Sequence, residues 1–268
     1  MSKVLTIPDV HQTLTGLEYA KKLVNEYDYI LCMGDIVDTH DSSEHQRTPV
    51  DVLTKWVEFK KDYPEKVFIL LGNHDLSYLP NADGNVSSHQ SYFAKDVREF
   101  LVSNLKYFDI CKRIDGVYYS HAGISETWYK NIKGLLKECE IKGNNVAERI
   151  NNALHSDSQI YGRLFDHCGF DPSGNSFEEG PLWIRPAALI CNPKFDKQVV
   201  AHTGFSEPTL LVGDNKRVLF VDVDNQFVDI INGNLNRVTN VSRKYLKAHE
   251  MTYLRKQLSK PRFFPYFM

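Results

Sequence analysis

Residues that can bind metal ions or transfer protons follow three apolar runs in the first half of the sequence. The runs are VLTIP, ILCM and VFILL, and the polar residues after them are Asp9 and His11, Asp35 and Asp38, and Asn73, His74 and Asp75. An ionised carboxylate is unfavourable in low-dielectric surroundings unless a cation or hydrogen-bond donors compensate its charge. The pattern therefore requires either a metal ion or a hydrogen-bonded partner that compensates these carboxylates.

Two histidines repeat this arrangement in the second half of the sequence. His121 follows the run VYYS, and His202 follows VVA. Because open α/β sheets bind ligands at the carboxyl ends of their strands, five such ends can converge on one point. Aspartate, histidine and asparagine together suit zinc, manganese or iron. Asp35, with two carboxylate oxygens, can bridge two ions about 3.5–4 Å apart, the spacing of two-metal hydrolytic sites.

Each motif taken alone also has a purely structural interpretation. The pair Asp9-x-His11 is more often structural, and a single histidine such as His121 or His202 is more often a hydrogen-bonded core residue. The GNHD segment at 72–75 is a stronger signal, because Asn-His-Asp after a buried strand has little packing value. The occurrence of all five motifs at strand ends favours a metal site. The remaining histidines lie in polar or helical contexts and are expected in solvent: His40, His45, His89, His155, His167 and His249.

The elements that must position these residues alternate between strand and helix along the first hundred residues. We predict strands at 3–8, 29–33 and 66–71 and helices at 14–27, 49–62 and 89–104. Apolar residues recur at helical spacing in the first helix, and Pro49 stands at the first turn of the second. Alternation of this kind is typical of a parallel sheet covered by helices.

The second half of the sequence has a different pattern. Asp115-Gly116 separates two apolar runs and predicts a hairpin, and residues 209–233 are interpreted as a three-strand meander. Residues 125–180 have a helical pattern and are then rich in loops. We therefore expect a mostly antiparallel second sheet that packs face to face on the first. The expected fold is of the α/β class, a four-layer α/β/β/α sandwich of two mixed sheets, forming one domain over residues 1–268.

Composition and charge exclude several classes of protein. At 268 residues and 42% hydrophobic content the chain can bury a large core, and no apolar stretch approaches the roughly 18 residues of a membrane span. A net charge of −2 and a pI near 6.6 argue against strong nucleic-acid binding. The site motifs begin at position 9, which leaves no room for a signal peptide, so we expect a cytoplasmic protein without a membrane partner. The five cysteines are scattered and odd in number and are expected to be reduced.

Residues 240–268 are interpreted as a basic helix and an aromatic tail, both packed on the domain. Seven lysine and arginine residues accompany one acid between positions 243 and 262, so this region could also dock a partner or an anionic substrate. Ordinary packing is favoured, because a basic outer face is often only solvated. The apolar residues at near-helical spacing are Tyr245, Leu246, Met251, Leu254 and Leu258. The tail PRFFPYFM is too aromatic to remain in solvent.

The ordered set of motifs resembles the calcineurin-like metallophosphoesterases over about residues 3–232. The shared order is D-x-H, GD-x-x-D, GNH-[DE], a later histidine before a turn of small residues, and AHT near the C-terminal sheet. The segments SHAGIS at 120–125, GPLWIRP at 180–186 and AHTGFSEP at 201–208 narrow the likeness to the phosphoprotein-phosphatase branch. This branch includes small bacterial and phage Ser/Thr phosphatases and hydrolases of diadenosine polyphosphates.

The resemblance implies a dinuclear metal-dependent phosphatase and a role for each motif. One divalent ion would be held by Asp9, His11 and Asp35, and the other by Asp35, Asn73, His121 and His202. Manganese is the first expectation, and iron and zinc accept the same ligands. A metal-bridging hydroxide would attack phosphorus while His74, oriented by Asp38, protonates the leaving oxygen. Arg185 in LWIRP would bind phosphoryl oxygens.

Two positions depart from the family pattern. Thr39-His40 stands where phosphoprotein phosphatases usually carry Arg-Gly, and Leu71 stands where an arginine usually precedes GNH. The loss of an arginine there weakens tight binding of a phosphomonoester and leaves the metal ligands untouched. His40, Arg47 and Arg163 are candidates to take over its role.

Three functions are compatible with these residues. The first is a phosphomonoesterase similar to Ser/Thr protein phosphatases, which acts on a phosphorylated protein. The second is a nucleotide phosphohydrolase or phosphodiesterase with a diadenosine polyphosphate-type substrate, because a diester or anhydride carries less charge per phosphorus. The third, a metal-bound scaffold without catalysis, is disfavoured by the presence of Asp38, His74 and Arg185.

Overall fold

The computed structural model describes residues 2–39, 48–80, 86–166, 171, 173–223 and 226–258. The strands are β1 (Lys3–Ile7), β2 (Tyr29–Cys32), β3 (Val67–Leu70), β4 (Phe108–Asp109), β5 (Cys111–Ile114), β6 (Val117–Ser120), β7 (Lys197–Val200), β8 (Thr209–Gly213), β9 (Lys216–Phe220), β10 (Val228–Ile231) and β11 (Ser242–Tyr245). The helices are α1 (Thr15–Leu23), α2 (Pro49–Asp62), α3 (Asn73–Leu76), α4 (Ala94–Asn104), α5 (Glu126–Glu138), α6 (Val146–Leu154), α7 (Ser158–Leu164), α8 (Pro186–Cys191) and α9 (Ala248–Leu258). No helix within these ranges combines the length and the apolar character needed to cross a bilayer.

The first sheet has the strand order β10-β1-β2-β3-β4. Strands β1 to β4 run parallel, each to the next, and β10 pairs antiparallel with β1 at the edge. This arrangement confirms the parallel sheet predicted from the alternation of strands and helices. Helix α2 begins at Pro49 as predicted, where Thr48 Oγ1 accepts a hydrogen bond from Asp51 N (3.1 Å) and caps the helix.

Strands β2 and β3 bury both of their faces. Ile30 and Cys32 pack with the outer helices, whereas Leu31 and Met33 pack against the second sheet. Burial on both sides explains why the sequence shows continuous apolar runs here instead of alternation with polar residues. Polar side chains are therefore confined to the ends of these strands.

The second sheet has the order β11-β8-β9-β7-β6-β5. Hairpins β5–β6 and β8–β9 are antiparallel, and the first turns at Asp115-Gly116 as predicted. The prediction of a mostly antiparallel sheet is wrong, because β11 with β8, β9 with β7, and β7 with β6 are all parallel. Helices α5 to α8 lie between β6 and β7 and supply the long crossover that a parallel pair requires.

The predicted three-strand meander over 209–233 is also wrong. Strand β10 leaves the hairpin β8–β9 and pairs with β1 in the first sheet, where Val228 lies opposite Thr6. Val228 and Ile230 face the core between the sheets and Asp229 is exposed. Because either sheet could bury this alternating face, the alternation identifies a strand and does not identify its partner.

A hydrophobic core lies between the two sheets, and helices cover both outer faces. Side chains of both sheets form this core, among them Leu31, Phe68, Tyr119, Val199 and Leu219. Helices α1, α2 and α4 cover the first sheet, and α8 and α9 pack on the second. The four-layer α/β/β/α sandwich of two mixed sheets is thereby confirmed.

The C-terminal segment forms a strand and then a helix. Tyr245, which the sequence placed in the helical pattern, lies instead in edge strand β11 and is exposed, because residues 242–245 pair with β8. In α9, Met251 is fully buried against Gly213, and Leu254 packs on the same cluster. The aromatic tail at 261–268 lies outside the described residues.

The described histidines outside the site are exposed and the described cysteines are unpaired, as the sequence predicts. His89, His155 and His249 are exposed. Four cysteines have free thiols: Cys32, Cys111, Cys139 and Cys191. The others fall outside the described residues, namely His40, His45, His167 and Cys168.

Candidate metal centre

The structure brings the six predicted metal ligands together at the carboxyl ends of five strands. Asp9 and His11 follow β1, Asp35 follows β2, Asn73 opens α3 after β3, His121 follows β6 and His202 follows β7. His202 N donates a hydrogen bond to Asp9 Oδ1 (3.2 Å), which links the ends of the two sheets directly. The strand-end motifs of the sequence therefore correspond to one site.

Three acceptor groups surround Nε2 of His121. The nitrogen lies 3.0 Å from Asn73 Oδ1, 3.2 Å from His202 Nδ1 and 3.4 Å from Asp35 Oδ2. All four side chains are buried. Oxygen and imidazole nitrogen atoms are the ligands that divalent transition metals prefer, and these four residues are the set predicted for the second ion.

Backbone carbonyl groups set the tautomers of the two histidines. His121 Nδ1 lies 2.9 Å from Met33 O, and His202 Nε2 lies 3.2 Å from Trp183 O. Because a carbonyl oxygen only accepts, these nitrogens carry the ring protons. When both rings are neutral, the lone pairs of His121 Nε2 and His202 Nδ1 therefore point toward each other. A group of acceptors that lacks a donor of its own fits a shared cation, and the carbonyls orient the rings toward it.

A first cluster lies beside this one and consists of Asp9, His11 and Asp35. One ligand atom from each lies within 4.8 Å of the others. His11 Nδ1 donates to Asp38 O (2.6 Å), which leaves His11 Nε2 on the side of Asp9 Oδ2 (4.0 Å). Asp35 belongs to both clusters. Its carboxylate thus lies where the sequence predicts a bridge between two ions.

The loops that carry these residues adopt backbone conformations that non-glycine residues rarely have. The angle φ is positive at His11 (41°), Asp35 (48°), Asp38 (56°) and His202 (66°). Such conformations persist only where the surrounding structure holds them, and they concentrate at functional sites. The absence of a side chain at Gly34 permits a close approach of the loops after β2 and β3, since a Cβ there would lie 2.6 Å from Gly72 N.

Asp75 joins the loop after β2 to the loop after β3. Its fully buried carboxylate accepts hydrogen bonds from Ile36 N (2.8 Å) and Val37 N (3.2 Å) through Oδ1 and from Gly72 N (2.9 Å) through Oδ2. Burial and the charge of Asp35 raise the pKa of Asp75 to about 6. The GNHD motif therefore contains a residue that holds two ligand loops together, a contribution that the sequence analysis did not assign.

The electrostatics of the two clusters also favour bound cations. Burial and the carboxylates of Asp222 and Asp35 raise the pKa of Asp9 well above its usual value. Burial alone would lower the pKa of His121, but Asp35 and Asp9 outweigh it and raise this pKa to about 10. Carboxylates gathered in a buried site take up protons unless cations neutralise them.

Metal loading is therefore expected to release protons. With its pKa raised to about 10, the His121 imidazole of the metal-free protein is expected to carry a second proton near neutral pH, and a ligating imidazole must be neutral. We expect at least about one proton per loaded chain, and an apparent affinity that rises about tenfold per pH unit for each proton released. Calorimetric titration with manganese in two buffers of different ionisation enthalpy measures the number of protons released. Binding heats that do not depend on the buffer would contradict this expectation.

His74 and Asp38 form a buried pair beside the clusters. His74 Nδ1 donates to Asp38 Oδ2 (3.0 Å), and His74 N donates to Asp35 Oδ1 (2.9 Å). The His74 ring lies 5.1 Å from that of His11, edge to face. With Nδ1 engaged, Nε2 is the atom that can exchange a proton with a ligand. The geometry is that predicted for a general acid with an orienting carboxylate.

Arg185 lies at the start of α8 and contacts the loop of His202. Its Nη1 donates to His202 O (3.0 Å) and to Thr203 Oγ1 (3.0 Å). Burial lowers the pKa of Arg185, although the nearby carboxylates of Asp9 and Asp35 oppose this effect. The other N–H groups of the planar guanidinium are suited to bind phosphoryl oxygens.

The two positions that depart from the family pattern are both buried. Leu71 is 0% exposed within the hydrophobic core, and Thr39 is 5% exposed. Arg163, one candidate replacement for the missing arginine, lies on α7 at the surface, where its Nη2 is 3.4 Å from Glu138 Oε2. The other candidates, His40 and Arg47, lie outside the described residues.

Asp222 is a charged neighbour of the first cluster that the sequence analysis missed. It contributes to the raised pKa of Asp9 and acts electrostatically on Arg185. Its sequence context, RVLFVD, is an apolar strand that ends in an acid, the same pattern as at Asp35. Interpreting this region as a meander obscured the signal, since strand ends of a meander do not converge on one site.

Comparison with known proteins agrees with this geometry. The sequence profile of the calcineurin-like phosphoesterases matches residues 2–204, whereas no curated protein matches the chain. The solved structure of a cold-active protein-tyrosine phosphatase from a psychrophilic Shewanella species aligns with 18% identity and a TM-score of 0.50, over 87% of this chain and 78% of that one. A protein serine/threonine phosphatase from Saccharomyces cerevisiae, with similarity to human phosphatase PP5, aligns with 14% identity and a TM-score of 0.51, over 86% of this chain and 73% of that one.

The profile match and the site coincide. At their low sequence identities the two solved structures establish the fold. The profile covers residues 2–204 of 268 and contains all six candidate ligands, from Asp9 to His202. By this match and by the two ligand clusters that share Asp35, the chain belongs to the calcineurin-like phosphoesterase family of metal-dependent phosphoester hydrolases.

Proposed function

We propose that this chain hydrolyses phosphomonoesters on proteins, with His74 as the general acid. The observation that supports this most directly is the bond from His74 Nδ1 to Asp38 Oδ2 (3.0 Å) beside two ligand clusters. A site that only stores metal ions has no use for such a pair. When bound, two divalent ions lower the pKa of water and neutralise charge on the phosphoryl group. Manganese is the ion we propose, with iron and zinc as alternatives.

The residues of the chain bind the phosphoryl group and move one proton. The guanidinium of Arg185 donates to two phosphoryl oxygens from N–H groups other than those on Nη1, in a planar arrangement. His74 Nε2 donates a proton to the leaving oxygen, and Asp38 fixes the ring through Nδ1. His121 and the three side chains around its Nε2 are buried, so little solvent reaches this side of the site.

The choice of a protein monoester rests on the resemblance to phosphoprotein phosphatases in GPLWIRP and AHTGFSEP. The two solved structures that share the fold are named as protein phosphatases, one for tyrosine and one for serine and threonine. A substrate panel that contains all three phosphorylated side chains therefore tests the proposal best.

A second candidate function is hydrolysis of a phosphodiester or of a diadenosine polyphosphate-type nucleotide. It is favoured by the buried side chains of Thr39 and Leu71 at positions where phosphoprotein phosphatases usually carry arginine. A doubly charged monoester gains more from a second guanidinium than a diester or anhydride does.

Turnover by the manganese-loaded protein distinguishes these candidates. The panel consists of phosphoserine, phosphothreonine and phosphotyrosine peptides, p-nitrophenyl phosphate, bis(p-nitrophenyl) phosphate and a dinucleoside polyphosphate, each scored by its phosphorus product. We expect the highest kcat/KM with the peptides and release of inorganic phosphate. Preference for the bis ester or the dinucleotide would replace the first candidate by the second, and no turnover of any substrate would reject both.

Substitution of Arg185 by lysine is expected to weaken substrate binding. Lysine keeps the positive charge and loses the planar fork, so KM for p-nitrophenyl phosphate should rise about tenfold or more while kcat changes less. Steady-state kinetics on wild-type and variant protein of equal metal content measure the separate effects on KM and kcat. Arg163→Lys is the matched control, since Arg163 faces Glu138 at the surface, and its KM should stay at the wild-type value. An unchanged KM in Arg185→Lys would remove Arg185 from the phosphate site.

A further inference from the structure

The Asp38 carboxylate has a second set of contacts on the side away from His74. Its Oδ1 accepts hydrogen bonds from Tyr78 Oη (2.5 Å) and from Gln90 N (3.1 Å). Gln90 N also lies 2.9 Å from Tyr78 Oη. Asp38 and Tyr78 are 0% and 1% exposed. One carboxylate oxygen is therefore held by Tyr78 and Gln90, and the other receives the proton of His74 Nδ1.

The local chain geometry places Tyr78 and His74 on the same side of one helical turn. The segment HDLSY separates them by four residues, and side chains at this spacing are neighbours on a helix surface. Helix α3 contains His74, and hydrogen bonds from Ser77 N to Asn73 O (3.1 Å) and from Tyr78 N to Asp75 O (3.3 Å) continue its turn. Both rings thus reach the same carboxylate from one short element.

A second segment covers this pair from outside. The His89 ring stacks on the Tyr78 ring with centroids 4.4 Å apart, and Gln90 Nε2 donates to Gln12 Oε1 (2.6 Å) next to His11. Ser77 Oγ donates to His74 O (2.7 Å). Tyr78 is thereby fixed between the general acid and a covering segment that reaches the first ligand loop.

We propose that Tyr78 is a positioning residue for proton transfer, which holds Asp38 so that His74 Nε2 points at the leaving oxygen. This inference rests on the proposed function. A buried carboxylate keeps one orientation when both of its oxygens are firmly bound. On Oδ1 the contact with Tyr78 Oη (2.5 Å) is shorter than the contact with Gln90 N (3.1 Å), whose N–H is shared with Tyr78 Oη (2.9 Å), so Tyr78 supplies the stronger restraint on this oxygen. The hydroxyl of Tyr78 therefore acts through Asp38 on His74 and does not touch substrate.

Tyr78→Phe removes one oxygen atom and leaves the ring that packs under His89. We expect kcat for a phosphoserine peptide to fall about tenfold, because an alkoxide leaving group needs a well-placed proton. For p-nitrophenyl phosphate, whose leaving group departs as a stable anion, kcat should stay within about twofold of wild type. KM and metal content should not change. An equal loss with both substrates, or no loss with either, would overturn the proposal.

Tyr27→Phe is the matched control. Tyr27 is also buried, and its hydroxyl donates to the Asp229 carboxylate at the same distance of 2.5 Å. It precedes β2, at the opposite end of the strand from the site. This variant should lose stability to a similar degree and keep the wild-type kcat with both substrates.

A readout that does not depend on turnover separates failure of this inference from failure of the proposed function. In wild-type protein labelled with 15N-histidine and loaded with zinc, which is diamagnetic, the Nδ1 proton of His74 should give a slowly exchanging NMR signal, assigned by its absence in His74→Asn. Tyr78→Phe should shift and broaden this signal, whereas Tyr27→Phe should leave it unchanged. If wild-type protein hydrolyses no substrate but the signal responds in this way, the proposed function fails and the positioning contact stands. A signal that is identical in wild type and Tyr78→Phe overturns the positioning role.

Discussion

Replacement of Asp35 by asparagine is expected to abolish stable binding of both metal ions and to end turnover. Asp35 is the residue shared by the two ligand clusters, and its Oδ2 lies 3.4 Å from His121 Nε2. Asparagine removes the negative charge and turns either an amide N–H₂ or a weaker oxygen toward the site. Because a bound metal ion supplies several kcal/mol of transition-state stabilisation, kcat/KM should fall about a thousandfold or more.

The asparagine substitution removes the negative charge of residue 35 and preserves the hydrogen bond that holds the neighbouring loop. Asp35 Oδ1 accepts the hydrogen bond of His74 N (2.9 Å), and the amide oxygen of asparagine can still accept it. Elemental analysis after dialysis against manganese, together with kcat/KM for p-nitrophenyl phosphate, provides the test. Asp229→Asn, in β10 and away from both clusters, is the control and should retain the wild-type metal content. Retention of two ions by Asp35→Asn would show that Asp35 is not the bridge.

The strand ends that form the site could be predicted because burial on both faces leaves a clear sequence signature. In β2, Ile30 and Leu31 pack on opposite sides of the sheet, so polar residues appear only where the strand stops. Parallel neighbours then bring their carboxyl ends to one edge. Each rule applies to one strand at a time and needs no knowledge of which strands are paired. Asp9, Asp35 and Asn73 could therefore be placed together from the sequence.

The partners of individual strands could not be predicted in the same way. Strand β10 follows the hairpin β8–β9 in sequence, yet it pairs with β1, more than 200 residues away. Its alternation of Val228, Asp229 and Ile230 fits the edge of either sheet. The choice depends on the packing of the whole core, which a local pattern does not contain. The same dependence on distant contacts explains why Asp222 was missed.

The inner part of the site was more predictable than its surroundings. Metal ligands are restricted to a few residue types, so His121 and His202 could be selected as candidate ligands even though single histidines are weak signals. The contacts of Asp38 with Tyr78 and Gln90 follow no such restriction. Tyrosine and a backbone N–H occur everywhere in a sequence, and only the folded chain shows that they meet one carboxylate oxygen.

Substitution of His74 by asparagine should reduce turnover sharply and leave metal binding intact. His74 belongs to neither ligand cluster among the described residues, and asparagine at this position keeps the backbone N–H that donates to Asp35 Oδ1. The asparagine amide can still donate to Asp38, but it carries no titratable proton for the leaving oxygen. We expect kcat for a phosphoserine peptide to fall about 10²–10⁴-fold, the range for loss of a general acid. Kinetics and elemental analysis on the same preparation measure both quantities, and His249→Asn, an exposed histidine on α9, is the control.

The leaving group decides whether His74 acts by proton donation or by binding phosphate. If it donates a proton, the loss in His74→Asn must be much smaller for p-nitrophenyl phosphate than for the phosphoserine peptide, because p-nitrophenolate leaves without protonation. If it binds a phosphoryl oxygen, both substrates lose equally, since both present the same group. Tyr78→Phe should show the same preference for loss with the phosphoserine peptide, but a smaller loss of kcat than His74→Asn, because it disturbs the acid only through Asp38. Equal losses with the two substrates would therefore exclude proton transfer by His74 and, with it, the positioning role of Tyr78.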